Sequence, residues 1–65
     1  MFANLRTELD RKNISLVTIS KLIGCNTKTV QNKLQGKTEW RLSEILAISE
    51  ELFPEFDLKY LFKRT

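Results

Sequence analysis

Apolar side chains recur three, four or seven positions apart along this whole chain and nowhere alternate with polar ones, so the pattern predicts helices and short turns with no sheet. Phe2, Leu5 and Leu9 place a first helix at about residues 2–12, ended by Asn13. Ser15 suits the N-cap of a second helix with Ile19, Leu22 and Ile23 inward, and Gly24 suits the left-handed position after its end. Asn26 can cap a third helix, Thr27 to Gln35, stopped by Gly36. A fourth is predicted from Leu42 to Phe53, with Leu42, Ile45, Leu46, Ser49 and Leu52 inward, ending before Pro54. Leu58 to Lys63 gives a short fifth. The 65 residues have room for one core, so the expectation is a single all-α domain spanning 1–65.

The residues that are missing exclude most chemistry. Cys25 is the sole cysteine and there is no histidine, so neither a disulfide nor the usual zinc ligand sets can be assembled, and every Ser-His or Cys-His nucleophile is ruled out. With only Gly24 and Gly36, no phosphate-cradling loop or dinucleotide fingerprint can be written. The expectation is a protein that is not an enzyme and needs no metal or cofactor. The longest apolar run is Ile45-Leu46-Ala47-Ile48, and the opening Met1 to Arg6 has no signal-peptide pattern, which predicts a cytoplasmic protein without a membrane span.

Net charge is +3, but it is distributed unevenly. From Arg11 to Arg41 seven bases (Arg11, Lys12, Lys21, Lys28, Lys33, Lys37, Arg41) face one acid, Glu39, giving +6, whereas Leu42 to Leu58 carries −5. A cationic middle attracts polyanions; the alternative is an ordinary solvated face.

The third helix is the most informative segment. At 100° per residue Val30 and Leu34 anchor one side, and Lys28, Thr29 and Asn32 fall opposite, with Gln31 and Gln35 at the edge. Lysine can bond guanine and Gln or Asn adenine, and a helix fits the major groove of DNA. No acid occurs from Leu16 to Thr38. Only Gly24, Cys25 and Asn26 link the second and third helices, a connection short enough to predict a steeply crossed helix-turn-helix.

The run Ser15-Leu16-Val17-Thr18-Ile19-Ser20-Lys21-Leu22-Ile23-Gly24-Cys25-Asn26-Thr27-Lys28-Thr29-Val30-Gln31-Asn32-Lys33-Leu34-Gln35-Gly36-Lys37 resembles the helix-turn-helix of the Cro/phage-repressor family, also called XRE or lambda-repressor-like. Glu39 to Leu46 and Phe53-Pro54 through Phe62 resemble the fourth and fifth helices of compact phage-type members. The resemblance implies a compact five-helix DNA-binding domain acting as a transcriptional regulator or repressor of phage or prophage type, bound to double-stranded DNA. It implies that Ser20, Gly24 and Val30 are the small residue, turn glycine and buried aliphatic of the motif. It further implies base reading by Thr27, Lys28, Gln31 and Asn32, and phosphate contacts from Thr18, Lys21, Lys33, Gln35 and Lys37. One position departs from the family pattern: Leu16 stands where a phosphate-gripping glutamine is common, leaving the clamp to Thr18, Lys21 and the helix's N-terminal amides. At Ser20 the commoner alanine is replaced, which asks for a hydroxyl bond to the carbonyl four residues back.

That departure leaves a rival reading, a protein-binding adaptor or inhibitor that docks through Leu16 and the aromatic C-terminal segment. Either Phe56, Leu58, Tyr60, Leu61 and Phe62 form a homodimer interface, or Leu58, Leu61 and Phe62 simply complete the monomer core. Cys25 is expected to pack beneath the turn and Trp40 to plug the gap between the third and fourth helices. Glu50-Glu51 and Glu55 with Asp57 read as solvated acid.

Overall fold

Asn13, Gly24 and Gly36 are the three residues with positive φ, at 58°, 75° and 83°, and each ends a helix. In the computed structural model, which describes residues 1–65, α1 spans Ala3–Arg11, α2 Leu16–Ile23, α3 Thr27–Leu34, α4 Leu42–Leu52 and α5 Leu58–Leu61, with no strand. The three left-handed residues close their helices alike: an N–H one residue further on returns to a carbonyl five back, Ile14 to Leu9, Cys25 to Ser20 and Lys37 to Asn32, at 2.9–3.1 Å. Asparagine tolerates this conformation at Asn13, and glycine has no Cβ to oppose it.

Phe2, Leu5, Leu9, Ile19, Val30, Leu34, Trp40, Ile48, Phe53 and Leu61 form one core to which every helix contributes. α2 packs on α3 and α4, α1 on α3 and α5, and α4 on α5. Phe2, Trp40 and Phe62 meet edge to face, with centroids 5.6–6.4 Å apart, joining the N-terminus, the α3–α4 loop and the residue after α5. Trp40 is buried, but its ring packs on Phe2 and Phe62 at the two ends of the chain, and its Nε1 has no hydrogen-bond partner. No helix is long and apolar enough to cross a membrane.

One expectation about packing is corrected. Leu42 and Leu46 are exposed, and the buried side of α4 consists of Glu44, Ile48 and Ser49 with Ile45 and Leu52 half-buried. The C-terminal segment packs in part against the monomer core. Leu61 is fully buried, while Phe56, Leu58 and Phe62 are half-buried. Tyr60 alone of that set is exposed, and its hydroxyl donates to Glu8 Oε2 at 2.7 Å. That bond, with some desolvation and the Glu8 charge, holds the phenol above its ordinary pKa.

Glu44 is drawn inward by Lys33. The Lys33 ammonium lies 2.6 Å from Glu44 Oε1, both side chains are about nine-tenths buried, and the Arg41 N–H donates to the same oxygen at 2.9 Å. Lys33 Nζ also donates to the Glu39 carbonyl and lies 5.8 Å from the Trp40 ring centroid. Burial pushes the Glu44 carboxyl up, but the Arg41 amide and the Lys33 bond and charge together outweigh it and leave it below the ordinary carboxylate value of 4.5.

A carboxylate favoured in the folded state stabilises fully above its unfolded pKa and loses that contribution as pH falls through the depressed folded value. Chemical denaturation between pH 3 and 7 should therefore show a stability decline below about pH 4.5 that is shallower in Glu44→Gln. At neutral pH, Lys33→Met should cost about 3 kcal/mol by stranding the carboxylate; equal acid slopes or a neutral Lys33→Met would show the pair to be passive. Gly36→Ala should destabilise more than Gly24→Ala, which costs about 1 kcal/mol from backbone conformation alone. A Cβ at Gly36 would stand 2.9 Å from the Met1 nitrogen, whereas one at Gly24 meets nothing within 4 Å. Thermal melts of the two variants compare them directly.

Candidate nucleic-acid interface

α2 and α3 are defined at their starts by side-chain caps. Ser15 Oγ accepts the Thr18 N–H at 3.4 Å and Asn26 Oδ1 accepts the Thr29 N–H at 2.8 Å. The link between them is the three residues Gly24 to Asn26, and half-buried Cys25 packs against the core there. Ser20 is buried, and its hydroxyl donates to the Val17 carbonyl at 2.7 Å, three residues back instead of four. Leu16 is half-buried against the core, so most of the apolar contact assigned to it by the adaptor reading is used within the fold.

The exposed side of α3 is rotated from the sequence expectation. Lys33 joins Val30 and Leu34 in the buried sector, which widens that sector toward Thr29. Thr29 becomes half-buried and lines a pocket with Ile23, Gly24, Cys25, Lys33, Arg41 and Glu44. Thr27, Lys28, Gln31 and Gln35 are left as the exposed row, and Asn32 is half-buried beside it. Gln31 and Gln35 also border an open groove of about 340 Å³ whose apolar wall includes Phe2, Ala3 and Leu34.

The five expected phosphate residues fare differently. Thr18, Lys21, Gln35 and Lys37 are exposed, and neither lysine has an acidic partner. Lys33 is removed from the set because its ammonium is buried against Glu44 and cannot reach a phosphate without breaking that pair. Of the other cations in the basic stretch, Arg11 lies 3.7 Å from Glu8 and Lys12 2.6 Å from Glu55. That leaves Lys21, Lys28 and Lys37 as the free ammonium groups of α2, α3 and the following loop, with the unpaired Arg41 guanidinium at the end of that loop.

The acids closest in sequence to this surface are paired. Glu44 is held by Lys33, and Glu39 Oε1 receives Arg64 Nη1 at 3.3 Å. Arg64 also donates through Nη2 to the Gly36 carbonyl at 2.9 Å, and its guanidinium lies 6.0 Å from the Phe2 ring centroid. This residue, remote in sequence, braces the loop that carries Lys37. No local pattern pointed to it, because its partners lie 25 and 28 positions away. Glu50 and Glu51 are exposed without ionic partners, as expected, while Glu55 pairs with Lys12 and Asp57 caps α5 by accepting the Lys59 N–H. No three potential metal-ligating side chains come together.

Comparison with family models, curated proteins and solved structures finds no match for this chain. If Arg64 braces the loop, hydrogen exchange at the Gly36 and Lys37 amides should quicken in Arg64→Ala while the α2 amides stay unchanged. Unaltered loop exchange would assign the loop's order to its helix-end hydrogen bonds alone.

Proposed function

We propose that this protein binds double-stranded DNA as a helix-turn-helix transcriptional regulator of the Cro/phage-repressor kind, with α3 as the helix that enters the major groove. The observation that carries this reading is a surface on α2, α3 and the next loop that bears three unpaired lysines and no exposed free acid. A solvated surface of this size usually mixes both signs. Thr27, Lys28 and Gln31 are available to base edges, with Asn32 at the margin. Lys21, Lys37, Thr18 and Gln35 serve the backbone, where charge and amide donors position the protein without reading sequence. The half-burial of Leu16 favours this reading over a protein adaptor, since it reduces the apolar surface such an adaptor would present.

The loss of Lys33 sets the expected salt dependence. Three free lysines predict that log affinity falls with log salt with a slope of about −2.7 per copy, from about −0.9 per neutralised phosphate. Fluorescence titration of a labelled duplex at several salt concentrations measures it. Lys37→Ala should weaken binding to all duplexes alike and reduce the slope by about one unit. Gln31→Ala should weaken a selected site by about 1–3 kcal/mol and leave random duplex untouched. Lack of duplex binding at low salt would overturn the function, and equal losses on both duplexes would remove Gln31 from the reading set.

A further inference from the structure

α1 and α3 flank the largest cleft in the molecule, the open groove of about 340 Å³. That volume falls at the lower end of the range that holds small organic ligands. Phe2, Ala3 and Leu34 supply an apolar wall, and Arg6, Gln31 and Gln35 supply polar side chains beside it. All three polar residues are exposed, and none of their side chains makes a hydrogen bond within the chain. Arg6 approaches Asp10 through Nε at 3.7 Å, beyond hydrogen-bonding distance, so its guanidinium still has donors to offer. No acid borders the groove. α1 starts at this groove with no side-chain cap and no acid in its first turn, so its partial positive charge adds to that of Arg6.

We propose that this groove binds a small organic monocarboxylate with an apolar body, of the class of medium-chain fatty acids. The hydrocarbon lies along Phe2, Ala3 and Leu34. The head group meets the Arg6 guanidinium, whose planar fork matches a carboxylate, and the unbonded amides of Gln31 and Gln35 border the same groove as further donors. Charge selects this occupant. An alcohol leaves the Arg6 charge unused, and an alkylammonium is repelled by it. The doubly charged head of a phosphate monoester exceeds a single cation that already has Asp10 beside it. The site is built on α1 as much as on α3, and it does not depend on DNA binding.

Amide chemical-shift titration of the labelled full chain with hexanoate and octanoate tests it. Both should give saturable shifts centred on Phe2, Ala3, Arg6, Gln31, Leu34 and Gln35. Octanoate should bind about fourfold more tightly, because an open groove covers about half of each added methylene. Octanol should bind about fivefold more weakly than octanoate. Arg6→Gln should weaken octanoate by about the same factor and leave octanol unchanged, with an unaltered circular dichroism spectrum because Arg6 is exposed. Ala3→Leu, which places a larger side chain in the groove, should abolish the shifts from both ligands. No saturable shift at millimolar octanoate, shifts centred away from the groove, octanol binding as well as octanoate, or an Arg6→Gln variant that binds octanoate normally would each overturn the proposal.

Discussion

The buried ion pair between Lys33 and Glu44 organises the part of the molecule on which the functional reading rests. It joins α3 to α4 at 2.6 Å and anchors the start of α4 through the Arg41 amide. A pair this dry contributes little net stability compared with apolar replacements, but it is strongly directional: neither group can turn outward without abandoning the other to a low-dielectric interior. Its consequence is rotational register. Fixing Lys33 inward sets which side of α3 faces solvent, and fixing Glu44 inward does the same for α4.

The elements themselves were legible in the sequence because their signals are local. Ser15 and Asn26 cap as their side chains allow, and Asn13, Gly24 and Gly36 adopt the left-handed conformation that ends a helix. What escaped was the facing of the helices. α4 carries Leu42, Ile45, Leu46, Ala47, Ile48 and Leu52, apolar residues on most of its circumference, so periodicity alone does not choose a side. The choice came from Lys33, a charged residue that composition places at the surface. The same residue explains the α3 error, since a lysine next to a basic stretch reads as a phosphate contact until its partner, 11 positions away, is known. Arg64 was invisible for a related reason: its role exists only once the chain brings Gly36, Glu39 and Phe2 around it.

Electrostatics and packing serve one another here. Lys12, Lys33 and Arg64 pair with Glu55, Glu44 and Glu39, while Lys21, Lys28, Lys37 and Arg41 are left unpaired. The basic excess visible in the sequence is thereby reduced in number and concentrated on α2, α3 and the loop after it. Exposed acid remains on the other side of the chain's charge division, at Glu50 and Glu51 of α4. Free cations and free acids are thus carried by different segments of the chain.

Amide chemical-shift mapping of the labelled protein with a duplex at low salt tests that division most directly. The account predicts perturbations confined to residues 15–37, strongest at Thr27, Lys28 and Gln31, with Glu50 to Asp57 silent. Perturbations centred on α4 and α5, or none at all, would contradict it.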